Sequence, residues 1–146
     1  MKVSLLALAA ALVAFIPNSS VQFGNNGKIS ASQPQGSSYI VVKWSTQEED
    51  GVKYFQVEKK SDVDNNFDPI WGATVNATGA GSSYQYMDNS VYKTASSELF
   101  QYRVSAVDYN GNIIASSDPA AVDFNFSSSL SGVAGRTWGS IKAMFR

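Results

Sequence analysis

Three acidic runs hold most of the side chains that could do chemistry: Glu48-Glu49-Asp50, the stretch DVDNNFD at residues 62–68, and DYNGN at 108–112. Carboxylates can gather around a hard cation, or work in pairs as acid and base. The 146-residue chain has no histidine and no cysteine. That removes an imidazole base, a serine–histidine–aspartate triad, a thiolate nucleophile, any disulfide and any zinc site built on His or Cys. Carboxylate or tyrosine chemistry is what remains.

Asp62, Asp64, Asn66 and Asp68 open like a calcium-binding loop, but the match fails further on. Phe67 stands where the sharp turn needs glycine, and position twelve is Ala73 instead of a bidentate glutamate. The stretch reads as a polar connection. Glu48, Glu49, Asp50 and Asp108 are calcium candidates on one condition, that their two loops meet at the same end of the fold. Their Asp-Gly and Asn-Gly neighbours already explain them as turn residues. No bound metal is expected. Paired carboxylates also hydrolyse glycosides, yet so compact a chain shows no insertion from which to build a cleft. The expectation is no enzyme, no catalytic residue and no cofactor.

The aromatics point to binding instead. Tyr54, Trp71, Tyr92 and Tyr109 fall where they could face solvent. An exposed aromatic face can stack on a sugar or a partner protein, although most aromatics of a small domain serve its core. Trp71, beside Gly72, is the leading candidate, with Tyr54 and Tyr109 after it.

The elements that must position these residues are strands. Apolar residues alternate with period two: Ile40, Val42 and Trp44; Phe55 and Val57; Tyr84 and Tyr86; Phe100, Tyr102, Val104 and Ala106. Turn clusters such as EEDG, ATGAGSS and DYNGN separate them. Pro69 holds its stretch to an edge or bend. About seven strands without a sustained helical period predict an all-β, seven-stranded antiparallel sandwich. Its Trp44 belongs to the core.

At this point the residues resemble a known family. VVKWSTQEEDGVKYFQVEKKSDVDNNF, then YQYMD, then YRVSAVDYNGNIIAS, in that order, look like a fibronectin type III domain, of the version found in exported proteins of Bacteroidota and related bacteria. The resemblance covers residues 28–124 and implies an immunoglobulin-like sandwich. It places Trp44 on strand B, and Phe55 and Val57 on strand C. It aligns Phe100 with the family's tyrosine corner, where phenylalanine has no hydroxyl, so either Tyr102 substitutes or packing alone holds the corner. The first strand, KISASQPQGSS, is poorly marked, with Ile29 its one bulky apolar residue.

Both ends of the chain differ from this middle. Val3 to Ile16 is an unbroken apolar run after Lys2, followed by Pro17 and small residues. It is too short for a spanning helix and suits a signal peptide cleaved after Ser20. Residues 1–20 are therefore read as signal, 21–27 as a linker, 28–124 as the domain, 125–136 as a Ser/Gly linker and 137–146, TWGSIKAMFR, as an amphipathic tail. In the tail, Trp138, Ile141 and Phe145 line up beside Lys142 and Arg146. Ten residues cannot hold a helix alone in water, so the tail needs a surface. It folds back on the sandwich, docks on export or attachment machinery, or lies at a membrane surface. Setting aside Lys2, Arg136, Lys142 and Arg146 leaves 7 of the 11 basic residues against all 12 acids, a net of −5 over residues 21–126. An acidic body of this kind argues against nucleic acid as a partner.

The expected function is a non-catalytic module, secreted or held at the cell surface, recognising a protein or glycan through loops or an edge strand. The alternative is a structural subunit of an extracellular filament or surface layer, packing through its N-terminal segment or its tail.

Overall fold

The computed structural model describes residues 19–93 and 97–125, apart from the side chains of Tyr92 and Lys93. The expected signal segment up to residue 18, residues 126–136 of the expected second linker and the expected tail with Trp138, Ile141, Lys142, Phe145 and Arg146 lie outside them. Nine strands run in chain order: β1 (Val21–Phe23), β2 (Ser30–Ser32), β3 (Ile40–Glu49), β4 (Val52–Ser61), β5 (Asp68–Asn76), β6 (Ser83–Asp88), β7 (Glu98–Asp108), β8 (Ile113–Ser116) and β9 (Ala120–Phe124). One sheet carries β1 and β2 on one edge of β3 and β6 on the other; the second has the order β5-β4-β7-β8, with β9 also on β7. Every pairing is antiparallel.

The expected count of seven is corrected to nine at the front of the chain: the alternating stretches are β3 to β9, with NIIASS and AAVDFNF already separate, and β1 and β2 precede them. Between β1 and β2, Asn25, Asn26 and Gly27 all take positive φ, of 50°, 56° and 83°. Asn and Gly are the residues that enter this left-handed region most readily, so the chain lifts off β3 and returns. Between β8 and β9, Pro119 has no N–H to offer a ladder, and the buried Ser117 ties the break to β7 instead. Its N–H donates to the Val104 carbonyl at 2.8 Å, and its Oγ accepts the Val104 N–H at 3.0 Å. The two breaks meet, since the Asp118 N–H donates to the Gly27 carbonyl at 2.9 Å. Farther along, Gln33 bonds both the N–H and the carbonyl of Asn125. This side of the sandwich is closed by hydrogen bonds between its two sheets.

The domain boundary also moves. Residues 21–27, expected as a linker, belong to the sandwich: Val21 and Phe23 pair with Glu49 and Thr46 on β3, and Phe23 is buried against Phe55 at 6.1 Å between ring centres.

Alternation carries Ile40, Val42 and Trp44 from β3 and Phe55 and Val57 from β4 into one core. Trp44 is 4% exposed, stacked on Tyr84 at 5.4 Å and edge-on to Phe55 at 5.9 Å. At the far end Asp88 is wholly buried. Its carboxylate accepts hydrogen bonds from Tyr102 Oη at 2.7 Å, Lys59 Nζ at 2.9 Å, and the Ser90 N–H and Oγ at 2.9 and 2.6 Å. Burial alone would raise its pKa, but these bonds together hold it below the usual carboxylate value. Burial and the adjacent carboxylate push the Tyr102 hydroxyl far up, so it stays a donor. Tyr102, not Phe100, thus supplies the corner hydroxyl, and it meets a side chain rather than backbone.

Candidate binding site

Trp71 is placed by a defect in an edge strand. Gln56 pairs with Thr74 and Glu58 with Pro69, so residues 70–73 of β5 stand opposite Val57 alone. The surplus residues bulge out of the ladder. Gly72 takes a φ of 73° within the bulge, a conformation that side chains with a Cβ resist. The Gln56 side-chain amide fills the gap, reaching the carbonyls of Val57, Ile70 and Ala73 at 2.9, 3.1 and 3.3 Å. Ile70 and Ala73 pack toward the core while Trp71 between them is 99% exposed. Replacing Gln56 by leucine keeps the volume and removes the amide. It is expected to cost about 1 kcal/mol and to speed hydrogen exchange at residues 70–73, read by exchange mass spectrometry.

Beside Trp71 lies a groove of about 570 Å³. The last residues of β4, the first of β5 and the first of β7 form it, on the side of the sandwich away from the closed edge. Lys59 crosses it, bonding Asp88 and the Ser90 hydroxyl and lying 5.2 Å over the Phe100 ring. Asp64 is committed locally to the N–H and hydroxyl of Ser61, the hydroxyl bond first among the causes that lower its pKa. Lys60 sits 5.0 Å over the Phe67 ring, which Arg103 also covers at 4.6 Å. The Asp68 and Glu98 carboxylates have no hydrogen-bond partner among the described residues, and both residues line the groove.

The other expected binding residues are not gathered here. Tyr54 is half-buried on β4, paired with Asn76 and Val107, and Tyr109 is 73% exposed on the β7–β8 turn. They lie toward the opposite end of the same sheet from Pro69 and Trp71. The Tyr92 side chain is outside the described residues.

The calcium candidates reach the same end but not a common centre. Glu48 accepts a hydrogen bond from Ser20 Oγ. Glu49 is buried and accepts from Tyr84 Oη at 2.6 Å, the Gly79 N–H at 2.7 Å and Thr46 Oγ1. It pins the β5–β6 connection. Asp50 is exposed in the turn before β4. Asp108 Oδ1 accepts the N–H groups of Asn112 and Asn110 at 2.9 and 2.8 Å, which lower its pKa, the Asn112 bond most. Among the described residues, no three acids come close enough to hold a metal ion. The Gln56 staple and the two unpartnered acids of the groove were beyond sequence reasoning. Pro69-x-x-Gly72 around a tryptophan was the one visible trace of the bulge.

With β1/β2-β3-β6 and β5-β4-β7-β8/β9 sharing one core, the chain is a two-sheet antiparallel sandwich, the fold that the resemblance to a fibronectin type III domain implies. No protein-family model and no curated protein matches the sequence. Among solved structures, the chain is similar to a Fn3-like protein from Clostridium thermocellum, at 23% identity over 65% of this chain and 85% of that one, with a TM-score of 0.47. It is similar to part of a β-1,2-glucanase from Parabacteroides distasonis, at 19% identity over 70% of this chain and 12% of that one, with a TM-score of 0.44. A myokine structure matches at 17% identity over 73% of this chain and 95% of that one, with a TM-score of 0.39. These are likenesses of fold.

Proposed function

We propose that this protein is a non-catalytic binding and scaffold module, exported through its N-terminal segment, that meets a protein or glycan with its β5 edge. The exposure of Trp71 carries the reading. A tryptophan left wholly in water forgoes about 1.5–3 kcal/mol or more of burial, and here a bulge and a side-chain staple hold it out. Rigid presentation of that sort lowers the ordering cost of binding. Glu49, Glu58 and Asp88 are each engaged in hydrogen bonds that hold the sandwich together.

Two measurements test this. Intact mass of the protein from its own cells should begin near Val21; a mass starting at Met1 would overturn export. Full-length protein carrying Trp71→Ala should be released from the cell-surface fraction where the wild type is retained. Retention unchanged by that substitution would sink the reading, and retention lost on deleting residues 127–146 instead would move the contact to the tail.

A further inference from the structure

We infer that the groove beside Trp71 binds a neutral sugar ring of a polysaccharide, which narrows the partner of the binding reading on which it rests. Among the described residues, Trp71 is the one large apolar side chain fully exposed at the groove, beside the exposed Pro69 and the half-buried Ile70. Among the described residues the other large exposed apolar side chains are Val63 in the β4–β5 connection, Met87 on β6, and Tyr109 and Ile113 at the β7–β8 turn, too few and too spread to make a patch of protein-interface size around it. One flat ring suits a pyranose, whose C–H bonds present their positive ends to the negative face of the indole.

A sugar also needs acceptors for its hydroxyl hydrogens. The Asp68 and Glu98 carboxylates line the groove without partners among the described residues, and a carboxylate is the strongest acceptor a side chain offers a hydroxyl. The groove's volume of about 570 Å³ falls in the range of small-ligand sites. Charge then selects among glycans. Asp64, Asp68 and Glu98 outnumber Lys59 and Lys60, and Lys59 is already neutralised by Asp88 at 2.9 Å. A uronate, sulfate or phosphate would meet like charge there, while an uncharged polyol would not.

Native affinity electrophoresis of the full chain tests this, with soluble neutral polysaccharides (a mixed-linkage glucan, a β-1,2-glucan, a xylan, a galactomannan) and polygalacturonate in the gel. At least one neutral polymer should retard the wild type and polygalacturonate should not. Trp71→Ala should weaken that retardation at least tenfold, Trp71→Phe should keep part of it, and Asp68→Asn with Glu98→Gln should reduce it further. Trp71 is exposed, so its variants fold. No retardation by any neutral polymer, retardation by polygalacturonate alone, or retardation indifferent to Trp71→Ala would each overturn the sugar. If Trp71→Ala abolishes surface retention while no polymer binds, the sugar is wrong and the binding reading stands, its partner then being a protein.

Discussion

Trp44→Ala is expected to destabilise the domain by about 3–5 kcal/mol, the usual cost of emptying a tryptophan-sized site in a packed core. Trp44 sits between Tyr84 and Phe55 with 4% of its surface exposed, so the cavity would open where the two sheets touch. The indole N–H is buried without a hydrogen-bond partner among the described residues. Leaving such a donor unpaired costs about 1–3 kcal/mol. Trp44→Phe, which removes the donor and keeps a ring, should therefore lose less than about 2 kcal/mol. Urea denaturation of both variants reads the difference. A loss under about 1 kcal/mol for Trp44→Ala would place this residue outside the core.

Asp88→Ala should be comparably severe, about 3–5 kcal/mol, because it strands the Lys59 ammonium and the Tyr102 hydroxyl in a site built around their acceptor. The pH dependence has a definite sign. The folded-state pKa of Asp88 is lowered, so its contribution is fully present above the unfolded value of about 3.9. It is lost as pH falls through the folded value, as for any carboxyl held ionised by the native state. Asp64 and Asp108, also lowered, add the same sign from the surface. Denaturation midpoints of the wild type should hold steady near neutrality and fall below pH ~4. Asp88→Asn should start lower and lose less across that acid range. An acid limb identical in wild type and Asp88→Asn would remove Asp88 as its source.

The strands that could be read from residues are those with a buried and a wet face. β3 and β7 alternate so regularly that Ile40, Val42, Trp44, Phe100, Tyr102 and Val104 fall inside as their spacing requires. β1 escaped the sequence and β2 was only poorly marked, within KISASQPQGSS, for the opposite reason. Three residues each, with Phe23 the one large buried side chain, cannot display a period. What makes them strands is a free edge of β3, and nothing local encodes that. The same holds for Glu58: its alternation marks it as outward, but Arg103 and Ser105 on the neighbouring strand cover it.

The site divides along the same line. An aromatic next to a glycine on a proline-marked edge was visible in Pro69, Trp71 and Gly72; the left-handed φ of that glycine was not. The conclusion that it is held rigid depends on Gln56, on another strand, reaching three carbonyls. Spacing alone left Glu48, Glu49, Asp50 and Asp108 as one possible ion site, and folding instead spends Glu49 on Tyr84 and Gly79 and Asp108 on its own turn.

From its sequence alone this protein is an all-β chain with a tryptophan core, no imidazole or thiol chemistry, and an apolar first stretch and a basic last one unlike its body. Those properties follow from composition and from the two-residue period of a pleated strand, which any neighbour must accommodate. Only the tertiary structure decided that the break after β1 and the break after β8 tie to each other, that Tyr102 donates to a buried Asp88, and that Trp71 stands free beside two acids whose side chains have no partner among the described residues. Each of these depends on which atoms from distant strands arrive together, and a carboxylate becomes a structural anchor or an open acceptor according to the donors it meets there.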